Sequence, residues 1–156
     1  YIQGRIFSFF NREIGTHNFQ SDKAIESITS GGFFGKGIGE GVLKNRVPEA
    51  HTDYIISVIS EEFGVVAIML ILLLFLILIY MVFKKISFET NDKVKLILIG
   101  SISLILMQAT IHIGVNIRLL PTTGMTLPFL SYGGSSIIST SILAGIILNL
   151  TKRKIT

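Results

Sequence analysis

Four carboxylates and a histidine crowd residues 48–62, PEAHTDYIISVISEE, just before a run with no charge at all, residues 63–83 (FGVVAIMLILLLFLILIYMVF). A helix of that length crosses a bilayer core of about 30 Å, so Glu49, Asp53, Glu61 and Glu62 stand at a membrane entrance. A charge beside hydrocarbon costs several kcal/mol unless it faces a cavity or a partner, which makes an ionisable residue there a functional-site expectation. An ordinary interfacial helix start would also carry acids, because the helix dipole favours them in the first turn. Residue type alone leaves both readings open. A zinc site on His51 and Asp53 would need more ligands, and no HExxH occurs. Residues 31–41, GGFFGKGIGEG, lack the GxxxxGK-Ser/Thr order of a nucleotide loop and follow no strand. Those glycines suit close backbone approach to a substrate or a membrane surface, with a plain flexible loop as the alternative.

The elements that must position these residues follow from polar spacing inside apolar runs. With a spanning helix beginning near Thr52, Asp53, Ser57, Ser60, Glu61 and Gly64 fall at i, i+4, i+7, i+8 and i+11 and share one stripe. Glu62 lies about half a turn away and is expected to serve something else. In the second uncharged stretch, residues 96–117, Gln108, His112 and Asn116 repeat at i, i+4 and i+8, which predicts hydrogen bonding between helices. The third stretch, residues 119–151, is too long for one span and is interrupted by Pro121 and Pro128. Its helix is placed at residues 132–150, with Ser135 and Ser136 near its start as candidate substrate-binding groups and a Ser141-xxx-Gly145 pair suited to packing. Upstream, short amphipathic pieces are expected at residues 2–10 and 21–28, the second capped by Ser21 or Asp22.

Composition sets the class. Of 156 residues, 49% are hydrophobic and only 15% charged, with a mean hydropathy of +0.66, too apolar for a soluble domain of this size. The fold expected is an all-α polytopic integral membrane protein with three transmembrane helices. Tyr1 is followed by no signal-peptide pattern, and the chain reads as the carboxy-terminal piece of a longer protein. It has no cysteine, hence no disulfide or thiolate metal site. The net charge of +4 is explained by helix-flanking lysines, and no nucleic-acid partner is expected. Lys84, Lys85, Lys93 and Lys95 in the first connection and Lys152, Arg153 and Lys154 in the tail lie two spans apart, so they share a side, which the positive-inside rule makes cytoplasmic. The expected order is an extracytoplasmic region at 1–53, a span at 54–83, a cytoplasmic loop at 84–95, a span at 96–117, an outer loop at 118–131, a span at 132–150 and a cytoplasmic tail at 151–156. Lys36, Lys44, Arg46 and Arg118 are then outer cations, and a phosphate-bearing lipid headgroup would need several of them.

Three segments in order, QSDKAIESITSGGFFGKGIGEG, PEAHTDYIISVISEEFG and NIRLLPTTGMTLPFLSYGGSS before a final span, closely resemble the SEDS family of shape, elongation, division and sporulation proteins, which includes FtsW and RodA. PEAHTD and the LLPTTGMTLPFLSYGG loop are more similar to the FtsW branch. The chain departs from the family's pattern at Thr123, where some members carry lysine, and at residues 44–46, where an acid often occurs. The resemblance implies a peptidoglycan glycosyltransferase that polymerises lipid II, a disaccharide-pentapeptide on undecaprenyl pyrophosphate, at the outer face of the bacterial cytoplasmic membrane during cell division. It puts the family's essential aspartate on Asp53. It also implies an inverting displacement with Asp53 as base, His51 and Glu61 as second-rank groups, and Lys44, Arg46 and Arg118, or a divalent cation such as Mg or Mn, neutralising the pyrophosphate. A class B penicillin-binding protein and the division complex are the implied partners. A lipid II flippase or a non-catalytic division scaffold is the alternative.

Overall fold

In the computed structural model, which describes residues 16–42, 46 and 50–152, the described residues form helices α1 (Thr16–Gly31), α2 (Ile55–Phe88), α3 (Asp92–Asn116) and α4 (Gly134–Thr151), and no strand. The last three are long and apolar enough to cross a membrane. The chain is a multi-pass, all-α membrane protein.

The helix ends differ from the sequence reading for identifiable reasons. α1 is longer than the amphipathic piece expected at 21–28, so Ser21 and Asp22 lie within it and cap nothing. Ser21 Oγ instead meets Tyr54 Oη at 3.4 Å, and Asp22 pairs with Arg118. The piece expected at 2–10 lies outside the described residues. α2 continues past residue 83 to Phe88, because an apolar span and a helix need not end together. Lys85 is still helical and bonds Glu89 at 3.0 Å, which holds the Glu89 carboxyl below its usual range. The connection expected at 84–95 therefore shrinks to residues 89–91, where Asn91 caps α3 by accepting from Lys93 N at 3.1 Å. α4 starts at Gly134 because the preceding backbone is extended, with Tyr132 N bonded to His51 O at 3.1 Å.

α2 is broken at Gly64 (φ 78°, ψ −176°). An unbroken helix would bond Val65 N to Glu61 O and Val66 N to Glu62 O. Those four groups bond the glycine tract: Lys36 N to Glu61 O (2.9 Å), Gly37 N to Glu62 O (3.1 Å), Val65 N to Gly32 O (3.0 Å) and Val66 N to Phe33 O (3.4 Å). A Cβ at Gly64 would stand 2.2 Å from Phe33 O, and one at Gly35 would stand 2.2 Å from Glu62 O. The close approach expected of these glycines is thus made to α2's own backbone, and the tract is a splint.

Three apolar clusters hold the helices. Ala24, Ala50, Tyr54, Val58 and Val115 join α1 to the head of α2 and the end of α3. Ile56, Ala109 and Leu127 seat the α3–α4 loop. Val82, Leu98, Ile102, Ile105 and Ile147 lock the opposite end. α1, the α2 head and the α3–α4 loop thereby meet at one end of the bundle.

Candidate functional site

Asp53 sits in the turn before α2, half-buried, between a buried Tyr54 and Thr52. Asn116, wholly buried at the end of α3, donates from Nδ2 to Asp53 O at 2.9 Å and accepts on Oδ1 from Ser57 N and Ser57 Oγ at 3.2 and 2.8 Å. Facing the carboxylate is Gly124, at φ 70°, where an added Cβ would lie 3.7 Å from Asp53 Oδ2. The α3–α4 loop therefore forms one wall beside Asp53, and its positive φ favours glycine there.

The polar stripe of α3 holds that wall. His112 Nδ1 donates to Met125 O at 2.8 Å, and Gln108 Nε2 donates to Thr126 O, Thr126 Oγ1 and Ser136 Oγ at 2.9, 3.2 and 3.1 Å. Ser131 Oγ accepts from Leu127 N and donates to Thr52 O, both at 2.8 Å, closing the loop onto the Asp53 turn. Ser131→Ala leaves the buried Leu127 amide without this partner and removes the tie to Thr52 O, and is expected to cost about 1–3 kcal/mol, read as a lowered thermal midpoint in detergent with a fold otherwise retained.

A second polar group lies elsewhere. Glu61, 2% exposed, bonds Lys36 Nζ at 3.0 Å and lines a cavity of about 140 Å³ with Lys23, Glu26, Ser27, Ser30 and Arg46. The Lys23 ammonium beside Glu26 holds that exposed carboxyl below the usual carboxylate range. Glu61 follows Asp53 by eight residues and lies in the second turn of α2, and Asp53 is not among the walls of that cavity. Both Glu61 and Glu62 lie against Gly41, where an added Cβ would meet Glu61 Oε2 at 3.1 Å and Glu62 Oε1 at 3.3 Å. The contrast expected between the two glutamates is therefore reduced. Lys36→Met withdraws the ammonium from a buried carboxylate. Because Lys36 is partly open to solvent, the expected loss is about 1–2 kcal/mol rather than the larger cost of breaking a fully buried pair, measurable by thermal unfolding.

The other sequence candidates are dispersed. Arg118, at φ 59°, lies two residues past α3 and is paired with Asp22, so it ties the start of the α3–α4 loop to α1 rather than standing as an isolated cation. His51 is exposed and contributes its carbonyl to Tyr132 N. Ser136 belongs to the Gln108–Thr126 cluster, while Ser135 is exposed on α4. Lys44 lies outside the described residues. Sequence reasoning missed Lys36 as the partner of Glu61 and Gly124 as the wall beside Asp53. A lysine inside a glycine tract and a glycine between two prolines were the only signals. Among the described residues no group of three or more His, Cys, Asp or Glu converges, so an all-protein cage of the zinc type is not formed by them.

Known proteins match this chain along almost its whole length. The cell cycle protein family FtsW/RodA/SpoVE matches residues 1–155. The chain is similar to the probable peptidoglycan glycosyltransferase FtsW of Enterococcus hirae, 40% identical over 88% of this chain and 35% of that protein. It is similar to proteins of the same name from Caulobacter vibrioides, 38% identical over 99% of this chain and 39% of the relative, and from Francisella salina, 42% identical over 85% and 34%. A solved structure concerning the coordination of polymerization and crosslinking by a peptidoglycan synthase complex superposes with a TM-score of 0.72, at 28% identity, covering 95% of this chain and 40% of that one. The chain thus spans between about a third and two fifths of the length of these relatives. With three motifs in family order, a three-span fold shared with that complex and a match over residues 1–155, the chain belongs to the FtsW/RodA/SpoVE family of cell cycle proteins.

Proposed function

We propose that this chain supplies the base-bearing part of a peptidoglycan glycosyltransferase that polymerises lipid II at the outer face of the bacterial cytoplasmic membrane during division. The observation that carries the reading is Asp53: a carboxylate at the mouth of a spanning helix, its backbone pinned by Asn116 and its side chain walled by Gly124. The names of the relatives support the reaction class.

The reaction joins the 4-hydroxyl of an acceptor GlcNAc to the anomeric carbon of a donor MurNAc. Asp53 takes the hydroxyl proton as the C–O bond forms on the face opposite the leaving group. The bond to undecaprenyl pyrophosphate breaks, and an α-linked donor becomes a β-linked strand in one inverting displacement. Pyrophosphate leaves as an anion, so it needs charge neutralisation rather than a proton. Arg46 and Lys36, with Lys44, are this chain's cations for that purpose. A crosslinking partner of the class B penicillin-binding type fits a polymerase whose product must be joined to a wall, and the synthase complex supports that pairing.

The test is direct. Full-length protein with purified lipid II in detergent should form glycan strands resolvable by gel. Transbilayer movement of lipid II in vesicles without any strand formation, in the presence of the partner, would establish the flippase reading in its place.

A further inference from the structure

We propose that Asn116 is the positioning residue of this reaction: one carboxamide fixes where the Asp53 carboxylate stands relative to the wall it faces. The proposal rests on Asp53 acting as the base.

Asn116 spends its hydrogen-bonding capacity on three elements at once. Oδ1 accepts from Ser57 N and Oγ, and Nδ2 donates to Asp53 O and to His112 O, the last two at 2.9 Å each. An asparagine amide has two acceptor lone pairs and two donor hydrogens, so these four bonds use all of them, in a side chain with no exposed surface.

The contacts bracket the first turn of α2. Tyr54 occupies the cap position and makes no side-chain cap bond, so Ser57 carries the third helical amide, which a Ser or Asp cap would ordinarily bind. Asn116 binds it from another helix, and with the same side chain grips the carbonyl of Asp53 just ahead of the cap. The first turn therefore cannot unwind or slide without breaking a buried bond.

The fourth contact reaches the opposite wall. His112, one turn earlier in α3, presents its carbonyl to Asn116 and its Nδ1 to Met125 O. Met125 follows Gly124, the residue beside Asp53 Oδ2. A single turn of α3 thus sets both sides of the gap in which the carboxylate stands. Ground-state binding of a long lipid-linked sugar depends on many remote contacts, whereas proton removal depends on where one oxygen sits. Loss of Asn116 should therefore appear in kcat, since a misplacement of about 1 Å can cost on the order of 100-fold.

Asn116→Ala in the full-length protein is expected to lower the kcat for lipid II polymerisation by about 100-fold, with KM changed by no more than about threefold. Leu98→Ala, in the apolar cluster at the far end of the bundle, serves as a destabilised control that keeps kcat per folded molecule. Should the alanine variant fail to fold, Asn116→Asp keeps the size and the acceptor for Ser57 but lacks the two donors, and it is expected to show the same split. A kcat within threefold of wild type in whichever of the two folds, with Asp53→Asn inactive, overturns the positioning role and leaves the base assignment standing. Full activity of Asp53→Asn removes the base assignment itself, and this proposal with it.

Discussion

Asp53→Asn in the full-length protein is expected to lower lipid II polymerisation by about 10²- to 10⁴-fold, the usual contribution of a general base, while the protein continues to fold. The two side chains have nearly the same size, so the half-buried turn keeps its packing around Tyr54. The bond that Asn116 makes to this residue is to the backbone carbonyl and is indifferent to the substitution. An amide, however, cannot hold the proton of an attacking hydroxyl near neutral pH. Strand formation from purified lipid II would fall to background while the thermal midpoint moved by only a few degrees. Polymerisation at the wild-type rate would remove Asp53 from the chemistry and turn attention to Glu61, which the Lys36 pair and the intervening two turns of helix set apart.

The second large effect is structural. Gly64→Ala places a methyl group 2.2 Å from Phe33 O, in a backbone conformation that side-chain-bearing residues avoid. Such a conformation costs about 1–3 kcal/mol for a non-glycine residue. Displacing the glycine tract would also strip up to four backbone bonds worth about 0.5–1.5 kcal/mol each, for a total on the order of 4 kcal/mol or more. Against the usual stability of about 5–15 kcal/mol, that loss should show as poor recovery of folded protein and a much lower midpoint. Gly100→Ala is the matching control: it sits in α3 with nothing within 4 Å of an added Cβ, and replacing a helical glycine there should be neutral or stabilising by up to about 1 kcal/mol. Equal behaviour of the two variants would mean that the break at Gly64 does not support the fold.

The spans were legible because uncharged runs of membrane length admit few other structures. Gln108, His112 and Asn116 were legible as well, since a four-residue polar repeat in an apolar run marks one helix face; Gln108 and Asn116 bond neighbouring helices as expected, whereas His112 bonds the α3–α4 loop. The break in α2 was hidden. Gly64 is the second residue of the uncharged run and carries no breaking signal of its own, and the groups that replace the helical bonds there lie about thirty residues upstream, in a tract whose composition says only that close approach is possible. Arg118 and Asp22 are 96 residues apart and Lys36 and Glu61 are 25 apart, so neither pairing has a local signature. Asp53 itself was visible through motif resemblance, but the loop glycine beside it is a property of the folded chain.

Asn116 and Ser131 bond the turn around Asp53 from 63 and 79 residues further along the sequence. During synthesis the glycine splint can close as soon as α2 emerges, whereas the turn waits for α3 to return across the bilayer and for the following loop to be delivered on the correct side. A nascent chain that has inserted only as far as α2 carries the carboxylate without the surroundings that hold it. Misinsertion of α3 is therefore expected to abolish the proposed polymerisation without altering any residue beside Asp53.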